Sequence, residues 1–296
     1  MAEPFEFPEA FKVSDEASLA GQRSFVQSTR VQLILLVIAS AAGSLSWTIN
    51  GDWDGTALLA GVAFSVAAIL RLLILRSRPH RLWYDGRAAA ESIKTLAWKH
   101  AVAGAPFVKG DASADGRLVG LIGEVVSSFD TLGPDASAAS AEPTPGMKTL
   151  RSASLEDRRR TYSSGRIADQ QDWYTRKAAW NKRRARLWGV IALVLQVIGA
   201  VGAFLKGFGV IDIDLFGLAG AAVGSAVAWL ETKQHHSISR AYKVAAEELA
   251  DIQRLIDQKQ TEQEWSSFVA EAEEAISREH TMWRASSRSR EPVTLA

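Results

Sequence analysis

The apolar residues of this chain fall into four blocks, and the charged residues lie almost entirely between them. A helix rises about 1.5 Å per residue, and about 20 residues cross the hydrocarbon of a bilayer, so each block is long enough for one span. Only a short polar turn separates the blocks within each pair. The pattern therefore predicts an all-α, polytopic membrane protein with four transmembrane helices in two hairpins. The predicted spans are 31–49, 56–75, 187–205 and 210–230.

The first block has a second interpretation as a cleaved signal peptide, because Ala39-Ser40-Ala41 resembles a cleavage site. About thirty residues precede the block and the apolar run continues beyond that site, which favours a span. The twenty-residue flanks on one side of the blocks hold 17 Lys and Arg residues, whereas the two turns on the other side hold only Lys206. The positive-inside rule therefore predicts that both termini and the middle of the chain are cytoplasmic.

The polar stretches outside the blocks predict further helices, which would form a cytoplasmic helical bundle. Apolar residues spaced alternately by four and three between 238 and 256 support the helix expected at 232–258. The expected helices are 81–104, a short one within 110–132, 155–186, 232–258 and 262–283. Residues 133–146 are rich in Ala, Ser, Pro and Gly and predict a flexible linker between a first unit, 1–132, and a second unit, 147–296.

The two halves show a weak internal duplication. An offset of 156 residues superposes Arg30-Val31 on Arg186-Leu187 and Ala89-Ala90-Glu91 on Ala245-Ala246-Glu247. The two hairpins have the same orientation, so the repeat would be parallel, unlike the inverted repeats of many transporters.

Composition adds little support for catalysis. The chain has no cysteine, and its five histidines show no metal-ligand spacing with each other or with carboxylates. No phosphate-binding glycine loop and no serine nucleophile elbow is present in the sequence. We therefore expect no enzyme activity, no catalytic residues, no cofactor, no metal and no nucleic-acid partner.

Each span carries one polar residue that is a candidate for lining a pore. Polar groups at that depth tend to face the interior of a bundle or water, although a single hydrogen bond to a neighbouring helix or to the backbone is the commoner outcome. The candidates are Ser44, Ser65, Gln196 and Ser225. Gly220 and Gly224 form a GxxxG pattern, which permits close helix packing either between subunits or within one chain.

Charged residues flank the third and fourth blocks on both sides. Asp212 and Asp214 lie in the outer turn, where an oligomer would form an acidic ring that favours cations; the simpler interpretation is a solvated turn. A basic collar precedes the third block and is expected to contact anionic lipid headgroups, besides setting the topology. The collar residues are Arg176, Lys177, Lys182, Arg183, Arg184 and Arg186.

Distinctive aromatic and charged residues occur in the polar stretches of both halves. They are Trp83, Glu91 and Trp98 in the first half and Asp172, Trp173 and Tyr174 in the second. Together with the hairpins, the stretches 83–87, 91–99, 106–107, 147–150, 158–162, 166–174, 268–269 and 279–283 resemble SLATT domains, the two-transmembrane effectors associated with bacterial nucleotide second-messenger synthetases (SMODS) and SLOG sensors. The resemblance covers nearly the whole chain as two tandem units.

The resemblance implies a membrane effector of a prokaryotic conflict or antiphage system in the inner membrane. Such an effector would oligomerise and open a pore after a signal, and a separate nucleotide synthetase or sensor protein would supply that signal. Because the spans are apolar, conduction would require several copies around an axis. The alternative is a non-conducting membrane scaffold that recruits a cytoplasmic partner.

Overall fold

Helices make up nearly all of the computed structural model, which describes residues 5–45, 47–49 and 53–288. The helices are α1 (Glu9–Gly43), α2 (Gly55–Ser77), α3 (Pro79–Ala101), α4 (Ala114–Ser127), α5 (Gly133–Ala138), α6 (Pro145–Ser152), α7 (Leu155–Tyr162), α8 (Asp169–Gly207), α9 (Leu215–Lys233), α10 (His235–Leu255) and α11 (Glu262–Arg288). A π-helical segment, Ser163–Ala168, joins α7 to α8. The predicted all-α class is confirmed, and α1, α2, α8 and α9 contain the four stretches that are long and apolar enough to cross a membrane.

The end of the first predicted span differs from the prediction. Helix α1 ends at Gly43, and Thr48–Ile49 (β1) instead pairs antiparallel with Trp53–Asp54 (β2). The β-branched and aromatic residues of this short segment favour a strand over a helix. The Thr56 hydroxyl donates to the carbonyl of Leu45 at 2.7 Å, which ties the start of α2 to the end of α1.

The chain divides into two compact units. The membrane unit consists of Arg23–Pro79 and Ala179–Ser239 and contains the four spans. The core unit consists of Met1–Gln22, His80–Ala178 and Arg240–Ala296. Large apolar side chains on the spans remain exposed, as lipid-facing residues do; Leu72 is 64% and Phe204 67% exposed.

Aromatic side chains fill the centre of the core unit. Trp98, Tyr162 and Trp265 are fully buried, and the Tyr162 ring lies 5.7 Å from each of the other two rings. The Trp265 indole donates to the carbonyl of Val102 at 2.8 Å, so its one polar atom is satisfied in the interior. Helix α11 buries one apolar face, made of Trp265, Phe268, Val269, Ala272 and Ile276.

Residues 133–146, predicted as a flexible linker, are ordered in the core unit. They contain α5 with Ala136 buried, and the carbonyl of Ser140 accepts from the backbone N–H of Ala10 at 3.0 Å. The Thr144 hydroxyl caps α6 and also donates to the carbonyl of Glu6 at 2.7 Å. Composition alone did not reveal these contacts, because the same small and polar residues also serve as helix caps and close-packing positions. The division into units 1–132 and 147–296 stays a prediction.

The two hairpins end in the same way. Arg78 follows α2 in the left-handed conformation with φ of 45°, and Gln234 follows α9 with φ of 48°. These residues are 156 positions apart, the offset of the sequence duplication. Each break starts a new helix outside the membrane unit's spans, with Pro79 and His235 as the first residues.

Candidate functional site: a groove between three spans

An open groove of about 910 Å³ lies in the membrane unit between α1, α2 and α9. Small residues make most of its walls: Ala39, Ala60, Gly61, Ala221, Gly224 and Ala228. Three serine hydroxyls, from Ser40, Ser65 and Ser225, lie among them. The structure thus brings two of the four predicted polar span residues, Ser65 and Ser225, and one glycine of the GxxxG pattern to a single concave surface.

The serine hydroxyls are used in hydrogen bonds to backbone carbonyls. Ser225 donates across to the carbonyl of Leu33 at 3.4 Å, and Ser40 donates to the carbonyl of Gly217 at 3.3 Å, so both link α9 with α1. Ser44, the residue after α1, donates to the carbonyl of Ser40 at 2.8 Å and to that of Asp214 at 3.4 Å. Ser65 donates within α2 to the carbonyl of Gly61 at 2.8 Å. Lining of a water path by Ser44, Ser65 and Ser225 stays a prediction.

Gln196 differs from the serines. Its side chain is exposed on α8, away from the groove-lining residues, and it has no hydrogen-bond partner among the residues that the structure describes. An amide left without partners in hydrocarbon costs several kcal/mol, so exposure of this side chain to lipid is unfavourable.

The close helix contact within the membrane unit uses glycines that the sequence analysis did not single out. A Cβ at Gly199 would lie 2.9 Å from that of Ala219, and a Cβ at Gly202 would lie 2.5 Å from that of Leu215. These glycines therefore allow α8 to pack directly on α9. At Gly220 and Gly224, by contrast, an added Cβ would meet no atom within 4 Å. A role for that GxxxG pattern between subunits stays a prediction.

Each turn between paired spans ends in an aspartate that caps the following helix. The Asp54 carboxylate accepts from the backbone N–H groups of Thr56 and Ala57, both at 3.0 Å, and these bonds lower the pKa of Asp54. Asp214 accepts from the N–H of Gly217 at 3.2 Å and so caps α9. Asp212 is exposed. The cap gives Asp214 a structural role that is independent of any acidic ring. The ring stays a prediction.

The basic collar lies on α8, and all six of its side chains are exposed: Arg176, Lys177, Lys182, Arg183, Arg184 and Arg186. Arg176 forms an ion pair with Asp172 at 3.4 Å, and the Arg184 guanidinium lies 5.3 Å from the centre of the Trp180 ring. Exposed cations beside an aromatic ring are typical of a membrane interface, and lipid contact by the collar stays a prediction.

The core unit contains a fully buried ion pair. The Arg166 guanidinium, in the π-helical segment, donates to both carboxylate oxygens of Glu273 at 2.8 and 2.7 Å. Tyr162 and Thr95 donate to the same carboxylate, each at 3.0 Å. Burial alone would lower the pKa of Arg166, but the charge and hydrogen bonds of Glu273 raise it overall. Burial and the Glu273 charge together raise the pKa of Tyr162. The arrangement keeps Arg166 charged and Tyr162 neutral.

Two family models match consecutive parts of the chain. The model described as SMODS and SLOG-associating 2TM effector domain 3 matches residues 8–159, which is just over half of the chain. The chain belongs to the SLATT family. A second model of that family, SMODS and SLOG-associating 2TM effector domain 1, matches residues 162–283, so this is a tandem SLATT protein. No curated protein and no solved structure matches the chain significantly.

The residues that carry the SLATT resemblance lie mostly in the core unit's interior or at its edge: Trp83, Glu91, Trp98, Asp172, Trp173 and Tyr174. Trp98 and Tyr174 are buried, and the Glu91 carboxylate forms an ion pair with the Arg87 guanidinium at 2.6 Å. Asp172 is exposed. Trp98 and Tyr174 therefore contribute to the packing of the core unit. The stretch 279–283 of the resemblance lies where side chains are outside the described residues.

Glu273 is the functional-site candidate that the sequence analysis missed. It falls between Val269 and Ile276 on the apolar face of α11, where a lone carboxylate requires a buried partner. A single carboxylate on an otherwise apolar helix face was the sequence signal that indicated a buried charged partner. Within the described residues no cluster of three metal-ligating side chains is found.

Proposed function

We propose that this SLATT protein is a non-enzymatic membrane effector of a bacterial antiphage system, and that its copies assemble around an axis into a pore. A separate nucleotide synthetase or sensor protein supplies the activating signal. The observation that carries the proposal is the tandem match to an effector family described as associating with SMODS and SLOG, in a chain with four membrane-crossing stretches.

Assembly from several copies fits the shape of the membrane unit. The open groove between α1, α2 and α9 is lined mostly by small residues, so it offers a helix-docking surface better than a water path through one chain. The exposed Gln196 supplies a polar group on α8, outside the groove. Both features find partners when copies assemble.

The membrane is the bacterial inner membrane, with both termini and the core unit in the cytoplasm. The support is the asymmetry of charge: 17 Lys and Arg residues flank the blocks on one side, and one lies in the turns on the other. In this orientation the core unit faces the compartment that contains a nucleotide signal, and the collar faces anionic headgroups.

The test is release of ions and of a small dye from liposomes that hold the purified protein. The panel includes protein alone and protein with cyclic oligonucleotides. We expect release that Gly224→Leu suppresses and that Gly189→Leu, at a glycine with open space around it, leaves unchanged. No release from a verified oligomer of correct topology, in any condition including an added synthetase or sensor, would refute the pore.

A scaffold without conduction is the second candidate. Its support is the use of the Ser225 and Ser40 hydroxyls in bonds between α1 and α9, since those bonds hold spans together and leave fewer hydroxyls for water. A scaffold predicts oligomers that never release ions while the core unit still captures its partner protein. The liposome experiment separates the two candidates.

A further inference from the structure

Gln196 presents a problem that one copy of the chain does not solve. The side chain carries two N–H donors and an oxygen acceptor, is exposed in the middle of a span, and has no hydrogen-bond partner in the described residues. Hydrocarbon offers no partner either, so the free energy of the folded chain falls when another protein surface supplies one.

The groove offers suitable acceptors. A serine hydroxyl has one hydrogen and two lone pairs. Ser65 gives its hydrogen to the carbonyl of Gly61, and Ser225 gives its hydrogen to the carbonyl of Leu33. Both oxygens therefore keep lone pairs that can accept an amide N–H, and both belong to the groove wall.

The groove also has room for a helix. Gly61 and Gly224 lie on opposite walls, on α2 and α9, and an added Cβ at either would meet nothing within 4 Å. Absence of side chains at these two positions lets a neighbouring helix approach the backbones closely.

The depth of Gln196 follows from helix pairings inside the membrane unit. Gly199 on α8 lies against Ala219 on α9. The two helices are joined by a short turn and run antiparallel, so a step of three residues back on α8 equals three forward on α9. Gln196 is therefore level with Ala222, three residues from Ser225.

The same residue counting gives the level of Gln196 on α1 and α2, the other two walls of the groove. Ser225 bonds to Leu33, so the residue of α1 at the level of Ala222 is Leu36. Gly43 of α1 lies beside Ala60 of α2. Leu36 is seven residues before Gly43, and Ala67 is seven residues after Ala60, so Ala67 is at the level of Leu36. That level is two residues, about 3 Å along the helix axis, from Ser65.

We propose that Gln196 of one copy docks into the groove of a second copy and donates an amide hydrogen to Ser65, which lies nearer the level of Gln196 than Ser225 does. The proposal rests on the assembly proposed above and identifies its subunit contact. The two copies use different patches, a side chain on α8 and a groove between α1, α2 and α9, so the contact is heterologous. Repetition of a heterologous contact closes a ring when the rotation permits. Gln196 then lies in the subunit contact and not in the water path.

Disulfide formation between copies tests this contact. The chain has no cysteine, so introduced cysteines are the only ones. Two differently tagged full-length chains, one with Gln196→Cys and one with Ser65→Cys, are co-expressed, and the membranes are oxidised. The control pairs Gln196→Cys with Val66→Cys, the adjacent residue at the same depth, which is exposed but outside the groove.

We expect about tenfold more disulfide-linked heterodimer with Ser65→Cys than with Val66→Cys, because the bridge requires Cβ atoms about 4 Å apart. Equal yields from the two pairs would overturn the contact, and so would the absence of heterodimer, which is the outcome if lipid alone fills the groove.

Filling the groove supplies a second measurement. Gly224→Leu in both chains is expected to reduce the Gln196–Ser65 cross-link about tenfold, the effect of removing roughly one hydrogen-bonded helix contact. Gly120→Leu, an equal change at an exposed glycine of α4 in the core unit, is expected to leave it unchanged. An equal loss in both variants would overturn the proposal.

Oligomer size and liposome release, measured on the same samples, separate this proposal from the proposed function. Oligomers that release ions without the Gln196–Ser65 cross-link overturn this contact and leave the effector function standing. A protein that stays monomeric in the membrane overturns both.

Discussion

Replacement of Glu273 by glutamine probes the buried ion pair of the core unit. Glu273 is 0% and Arg166 1% exposed, so neither charge has access to water. The carboxylate accepts four hydrogen bonds, two from Arg166 and one each from Tyr162 and Thr95. Glutamine keeps the volume but has one acceptor oxygen, and its NH2 group would face the Arg166 donors. Arg166 is left as a buried, uncompensated cation.

The expected loss is large because the interior offers no substitute for the charge. Removal of one partner from a buried ion pair costs about 3–5 kcal/mol in free energy of unfolding. For a unit of roughly 150–250 residues, each kcal/mol shifts Tm by about 2–4 °C. Glu273→Gln is therefore expected to lower the Tm of the core unit by about 6–20 °C.

Near-ultraviolet circular dichroism during heating in detergent measures this transition, because Trp98 and Trp265 are fully buried in the core unit. Glu274→Gln is the matched control: it makes the same chemical change at the next residue, which is exposed, and is expected to cost less than about 0.5 kcal/mol. The double variant Arg166→Met with Glu273→Leu removes both charges and should recover part of the loss. Equal Tm values for Glu273→Gln and Glu274→Gln would refute the reasoning.

Three further changes have definite expected outcomes. Gly202→Ala should lower Tm through a cost of about 1–3 kcal/mol, because its Cβ would lie 2.5 Å from that of Leu215, whereas Gly189→Ala should not. Burial lowers the pKa of His100, so the unfolded chain binds a proton first as pH falls; stability should decline below about pH 6.5, and His100→Gln should flatten that dependence in melts across pH. Asp214→Asn should keep the α9 cap and its Tm while weakening any cation preference in liposome flux, whereas Asp214→Ala should also lose about 1 kcal/mol of stability.

The sequence predicts the spans well because a bilayer imposes a strict requirement on length and polarity. Helix-breaking details at the ends do not follow from hydropathy. Arg78 and Gln234 adopt left-handed conformations, which neither arginine nor glutamine as a residue type predicts. The GxxxG spacing does not identify the close contact of α8 with α9, because the glycines that allow it, Gly199 and Gly202, are three residues apart.

The candidate site was less accessible to the sequence than the spans. Hydropathy identified Gln196, Ser65 and Ser225 one by one, each within its own span. Their relation depends on which helices pack side by side and in what register, and this is set by contacts between residues distant in the chain, such as Ser225 with Leu33. Glu273 shows the same limit, since its partner Arg166 lies 107 residues earlier.

The core unit contains residues of both SLATT matches. Two of its contacts join the first match to the second: Thr95 donates to Glu273, and Trp98 packs on Tyr162. The second half alone would leave the Tyr162 ring without Trp98 and the Glu273 carboxylate without the Thr95 hydroxyl, although Arg166 and Tyr162 of the same half also donate to Glu273. The tandem protein is therefore a covalently joined pair of SLATT units with one shared core. An assembly of such chains contains two hairpins per chain, so a ring of copies has twice as many SLATT units as subunit contacts.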